Sequence, residues 1–381
     1  MKKIVMLTTF AAASLSAPVF AQSSVTLYGL IDEGFDYTNN AKTGSAYQLQ
    51  SGYAQGNRWG LKGTEDLGGG LKAVFQLENG FNVNSGSLGQ GGLMFGRQAW
   101  VGLSSNYGTV TLGRQYDSII DYFTVTTANG AFGGYLFDHP YDNDNTENTF
   151  RLNNTVKYAS PTIYGIRFGG TYSFSNDSNF ANNRAYSLGA QYSGGGLLIG
   201  VAYLQANNPS SDATGAITNA GDKNFVAARM RILGAGANYT LGKATVGLAY
   251  SWSSYRNPVS SAYVGSFTPV VGTLSNLTFS NFEANAKYQF TPAFYVGAQY
   301  VYTRANYDAT SGESHPVYHT AGLMADYSIS KRTDVYMQAA YEHVAGGKTG
   351  SVLDDAYISG AAGVSSSTSQ VAVRVALRHK F

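Results

Sequence analysis

Short turns and long polar connections alternate strictly along this chain, and between them lie segments whose hydrophobicity repeats every second residue. In Phe282-Glu283-Ala284-Asn285-Ala286-Lys287-Tyr288-Gln289-Phe290 one face is wholly apolar and the other polar, and Leu233-Gly234-Ala235-Gly236-Ala237-Asn238-Tyr239-Thr240-Leu241 keeps the same beat. Period two is the mark of a β-strand with two unlike faces. Tight turns fall at 66–70, 105–108, 160–165, 193–196, 242–243, 291–292 and 330–332. The connections at 36–57, 82–94, 116–153, 175–183, 206–228, 253–280, 304–318 and 344–369 are long. In an antiparallel meander this alternation puts every tight turn at one end.

A soluble sandwich has no reason to sort its loops by length, whereas an outer-membrane barrel has short periplasmic turns and long external loops. The expected fold is therefore all-β, a transmembrane barrel of about sixteen antiparallel strands. Its last strand, ending at Phe381, pairs with the first, Val25 to Phe35, because an open sheet edge is too costly in lipid. Tyr239, Tyr250, Trp252, Tyr288, Phe290, Tyr327 and Tyr341 sit on the apolar parity near strand ends, as interfacial aromatic girdles require. Lys2-Lys3, an apolar run to Phe20 and Ala21 read as a secretory signal peptide over residues 1–21, leaving 22–381 for the barrel. Without Lys2 and Lys3, 23 basic side chains balance 23 acidic ones, so no global charge points to nucleic acid. The chain has no cysteine, which excludes disulfides, thiolate metal sites and a thiol nucleophile.

The beat stops between Tyr116 and Phe150. A loop this long in a compact fold marks function, and the expectation is that it folds into the barrel and narrows the bore. Its carboxylates Asp117, Asp121, Asp138, Asp142, Asp144 and Glu147 have blander readings, as a solvated acidic loop or a structural cation site. The Gly and distal Glu of an EF-hand are absent around Asp142-Asn143-Asp144-Asn145. The histidines are scattered without a shared nucleophile motif, so no enzyme, cofactor or metal is expected. Arg58, Gly60, Lys62 and Thr64 share one parity and Trp59 and Leu61 the other, which turns Arg58 and Lys62 into the lumen. Arg97 follows the second long connection and Arg151 the third.

The segments Ser24-Val25-Thr26-Leu27-Tyr28-Gly29, Arg58-Trp59-Gly60-Leu61-Lys62-Gly63-Thr64-Glu65-Asp66-Leu67-Gly68-Gly69-Gly70-Leu71-Lys72-Ala73, Phe95-Gly96-Arg97-Gln98-Ala99-Trp100-Val101-Gly102-Leu103 and Leu112-Gly113-Arg114-Gln115-Tyr116 resemble the trimeric general porins of Gram-negative bacteria, in their betaproteobacterial form. The resemblance runs from the leader to Phe381. It implies an outer-membrane channel for passive diffusion of small hydrophilic solutes and inorganic ions, assembled as a homotrimer among lipid and lipopolysaccharide. It also implies an arginine ladder on Arg58, Arg97 and Arg151 facing an infolded third loop; parity adds Lys62 to the basic side, and by sequence Asp117 and Asp121 are the nearest acidic candidates, with Glu147 next. A substrate-selective channel is the rival within the class; an outer-membrane hydrolase and an adhesive barrel are the rivals outside it. By parity Arg114 shares the outer face of Val110 and Leu112, where a lone cation costs about 2–4 kcal/mol near the midplane. The resemblance implies a subunit interface there and an acidic partner from a neighbour's second loop, with Glu78 of the same chain as the alternative. The connections at 253–280 and 346–369 carry no alternation and are expected to be exposed and tolerant of insertion.

Overall fold

The computed structural model describes residues 24–42, 44–263, 265–266 and 272–381; the signal peptide expected over 1–21 lies outside the described residues. Eighteen strands form the main sheet, and sixteen of them build the wall. The first six are β1 (Ser24–Thr38), β2 (Arg58–Gly68), β3 (Leu71–Gly80), β4 (Gln98–Ser105), β5 (Gly108–Gln115) and β6 (Leu152–Ala159). There follow β7 (Ile166–Ser173), β8 (Ala185–Gly194), β9 (Leu197–Asn207), β10 (Arg229–Leu241) and β11 (Ala244–Arg256). The wall ends with β12 (Leu274–Thr291), β13 (Phe294–Ala309), β14 (Pro316–Ser328), β15 (Thr333–Gly346) and β16 (Ser369–Lys380). The remaining two are the short strands Ala46–Ser51, laid along the outer half of β1, and Gly312–Ser314, laid along β13.

Neighbours pair antiparallel throughout, and β16 pairs with β1 from Leu30–Lys380 to Thr38–Ala372, so the sheet closes on itself as expected. The apolar parity faces outward. Leu248 is 70% exposed between buried Gly247 and Ala249, and Leu188, Val101 and Val375 are exposed in the same way. A soluble sheet would bury these side chains; a wall meeting hydrocarbon presents them.

Two loop expectations change. Strands β12 and β13 run well past the apolar band, because Leu277, Phe279, Ala305 and Tyr307 turn a buried apolar face into the mouth, and the connection expected at 304–318 shrinks to a hairpin closed by Gly312–Ser314. The last connection is not an exposed appendage either: Leu353, Ala356 and Ile358 are at most 2% exposed and pack inside the mouth.

Inside the barrel the third loop runs as short helical turns from Ile119 to Asp142. It docks on a track of wall glycines. A Cβ on Gly189 or Gly169 would strike the Tyr122 ring or hydroxyl, on Gly234 the Phe123 ring, on Gly297 the Phe132 ring and on Gly322 the Phe137 ring, all within 2.7 Å. The missing side chains on β7, β8, β10, β13 and β14 make the groove in which the loop lies. The wall from β2 round to β5 is left to line the pore.

Candidate functional site

Each basic residue of the site is placed by a strand end. Arg58 opens β2, Arg97 precedes β4 and Arg151 precedes β6, at the end of the third loop. All three line one cavity of about 490 Å³, together with Tyr116, Gln55 and Glu147. Lys62 lies two pleats further along β2, exposed in the lumen with its ammonium 5.4 Å from the centre of the Tyr28 ring.

The wall supplies a counter-ion that the sequence reading assigned elsewhere. Arg97 donates from Nε to Glu78 Oε1 at 2.9 Å and from an Nη to the Tyr116 hydroxyl at 2.9 Å. Tyr116 and Tyr28 each donate to Glu78, at 3.1 and 2.9 Å, and Gln76 donates to Tyr28. Arg151 lies 5.8 Å from the Tyr116 ring centre, and its buried Nε meets no acceptor among the described residues. Burial and the charge of Arg97 lower its pKa to about 10, so it stays a cation at neutral pH. One arginine of the three is thus matched by a wall carboxylate.

Glu147 faces this cluster from the third loop, with Oε2 accepting from Asn129 at 2.8 Å. Part of its surface stays open to the cavity, but burial of the carboxyl, with Asp142 close by, pushes it up to about 8. It is therefore mostly neutral at pH 7. Asp117 does not reach the lumen. It is fully buried, accepting from the Ile119 amide at 2.7 Å and from Asn145 at 2.9 Å, because its carboxylate is needed to satisfy the first turn of the infolded loop. Asp121 is turned to the wall, ion-paired with Lys157, and its carbonyl accepts from Arg167 at 3.0 Å.

Arg114 has its partner within the chain. Asp222 of the fifth loop takes both its Nη groups, at 2.6 and 2.8 Å, while Gly96 O accepts from Nε at 2.8 Å and Asn153 Oδ1 from Nη1 at 2.6 Å. The inference that this cation needs a neighbour's carboxylate, or Glu78, is corrected: a loop distant in sequence bends back over it.

Asp138, Asp142 and Asp144 each place an oxygen within 4.8 Å of the others. Those oxygens are engaged in folding the loop. Asp142 accepts from the amides of Glu147 and Thr149, Asp138 from Thr146 and Ser359, and Asp144 from Thr146, Ser251 and His139. His139 bridges Asp144 at 2.6 Å and Glu283 of β12 at 3.0 Å. Its burial opposes the charge, but the two carboxylates overcome this and push it up to about 10.

Reading by sequence missed Glu78 as the wall counter-ion, the inward turn of the first loop at Tyr53–Gln55, and the buried cluster in which Arg374 meets Asp32 at 3.0 Å and Asp36 at 2.7 Å. For the last, a signal was present: Asp32 and Asp36 alternate on β1 as Arg374 and Arg378 do on β16.

A closed barrel with an apolar belt, a polar lumen and a loop folded across its bore is a transmembrane diffusion pore. The chain belongs to the Gram-negative porin family, whose model matches residues 8–347. It is 32% identical to an outer membrane porin protein of Bordetella pertussis, over 97% of each chain, and 30% identical to outer membrane porin protein 32 of Delftia acidovorans, over the whole of both. Among solved structures it is similar to the anion-selective porin from Comamonas acidovorans, with TM-score 0.71 and 26% identity over 94% of this chain and all of that one. The protein is an outer-membrane channel for passive diffusion, as the resemblance implied.

Proposed function

We propose that this channel prefers small anions and that its selectivity is set where Arg58, Arg97 and Arg151 face Glu147 across the cavity. The observation that carries this is the charge balance there: three guanidiniums, one of them paired with Glu78, face a single loop carboxyl whose ionisation burial opposes. In a low-dielectric wall such an excess focuses a field that concentrates anions. The named selectivity of the Comamonas relative agrees with this reading. Lys62, and Lys157 with Asp121, continue the basic wall inward. We read the channel as passive rather than enzymatic, in keeping with the porin family to which the chain belongs. It assembles as a homotrimer in outer-membrane lipid and lipopolysaccharide.

The test is the zero-current potential of purified protein in planar bilayers under a salt gradient. The parent should show anion preference at low salt, and Arg58→Glu or Arg151→Glu should move the potential toward cations. Asp121→Asn, which frees Lys157, should move it toward anions. All shifts should shrink as the screening length falls to about 3 Å at 1 M salt. A cation-preferring parent, or variants that match it at low salt, would overturn the assignment.

A further inference from the structure

We infer that Gln55, carried into the lumen by the first loop, is a selectivity-determining residue of the pore. The inference rests on the channel reading and adds a second wall to the constriction. After the short strand Ala46–Ser51 the chain leaves the sheet at Gly52, whose φ of +84° suits glycine, and rejoins it at Arg58. The excursion is built rather than loose. Gly52 N donates to Asp32 O at 2.8 Å, Gln55 N to Asp32 Oδ2 at 2.9 Å and Ala54 N to the Tyr336 hydroxyl at 3.3 Å. Tyr135 N of the third loop donates to Tyr53 O at 2.9 Å, and the Arg374 guanidinium sits 4.5 Å from the Tyr53 ring centre. The first loop is thereby pinned to the wall on one side and to the third loop on the other.

Inward of the arginine cavity lies a second, of about 170 Å³, lined by Phe132, Tyr295, Arg378 and Lys380 among others. Four described residues line both cavities: Ala54 and Gln55 from the first loop, Asn129 and Gly130 from the third. These four therefore frame the neck between the two chambers. Ala54 and Gly130 offer no polar side chain, and the Asn129 amide is committed to Glu147 and to Gly134 O. Gln55 makes no side-chain hydrogen bond among the described residues; its Oε1 is buried without a donor, which leaves the amide nitrogen to meet a passing ion. On the inner side Arg378 is matched by Asp326 and Asp334. An anion drawn in by the arginines therefore passes the neutral amide of Gln55, whose nitrogen donates, on its way from the first cavity to the second. Carboxylates and other small oxyanions fit a single donor of this kind.

The chain has no cysteine, so Gln55→Cys carries the sole thiol. Purified Gln55→Cys protein would be treated in planar bilayers with methanethiosulfonates of increasing size and of either charge, beside a Ser178→Cys control on the exposed fourth loop. The expected result is progressive loss of single-channel current with adduct size, and a reversal potential moved toward cations by a sulfonate adduct relative to an ammonium one. The control should label without either effect. Gln55→Ala should raise conductance, and it reads the neck independently should the thiol variant misfold; the native main-chain bonds at this position do not use the side chain. Complete labelling by mass with current and potential unchanged, failure of permeant reagents to label, or Gln55→Ala at parental conductance would overturn the inference. Absence of conductance in the parent would instead overturn the channel reading on which it stands.

Discussion

At the scale of single residues, the constriction is governed by how burial redistributes protons. Glu147 is held neutral by burial and by Asp142, with a pKa of about 8. As the pH rises through that value it gains a negative charge opposite the arginines. Anion preference should therefore decline between about pH 7 and pH 9, and Glu147→Gln should flatten the profile at its low-pH level; reversal potentials taken across that range check it. His139 acts in the other sense. Its pKa is raised above the unfolded value of about 6.5, so the stability it lends is complete below that pH and is lost as the pH rises through about 10. Its partner Glu283 also accepts from the Ala128 amide at 2.7 Å and from Asn285 at 2.7 Å, clamping the loop at two points. Glu283→Ala leaves a buried imidazolium short of a partner, a change that costs about 3–5 kcal/mol. We expect a lower unfolding temperature and flickering single-channel current, and quiet current of parental size would show the clamp to be dispensable.

Among elements, the third loop and its glycine track depend on each other. The loop carries aromatic side chains that need a dry surface, and the wall offers one by omitting side chains where Tyr122, Phe123, Phe132 and Phe137 lie. The backbone at Gly234 has no positive φ, so a larger residue fits the strand but not the loop: its Cβ would stand 2.4 Å from the Phe123 ring. Gly234→Val should displace the loop into the bore. The expected outcome is reduced conductance with an unchanged β-sheet circular dichroism spectrum. Full conductance would mean that the loop re-seats without narrowing the pore.

Across the whole molecule, closure and the rim decide stability. The β1–β16 seam is tied by Arg374 to Asp32 and Asp36, and the rim by Arg114 to Asp222, which spans 108 residues of sequence. Asp222→Ala should strand the buried guanidinium of Arg114 at a cost of about 3–5 kcal/mol. The loss should appear in thermal unfolding of isolated subunits, and the double variant Arg114→Met with Asp222→Leu should recover much of it. Loss confined to oligomer migration would instead return Arg114 to a subunit interface.

The sequence alone determined the barrel, its strand number and the face each strand turns to lipid, because a period-two pattern and alternating connection lengths are local properties that membrane solvation permits few ways to satisfy. Parity and strand ends, with the family resemblance, put Arg58, Arg97 and Arg151 at neighbouring outer strand ends, while among the loop carboxylates Asp117 and Asp121 read as nearer than Glu147. What the sequence did not contain was the pairing of charges. Glu78 for Arg97, Asp222 for Arg114, Lys157 for Asp121 and the burial of Asp117 depend on how closed strands and folded-back loops meet across the lumen. Parts of the polar, irregular loops pack inward nonetheless, Tyr53 and Ala54 of the first, Ala216 and Ile217 of the fifth and Leu353 and Ala356 of the eighth, because the mouth of a barrel this wide leaves space that the third loop alone does not fill. Only the tertiary structure decides such contacts, since each joins segments whose separation along the chain has no periodic trace.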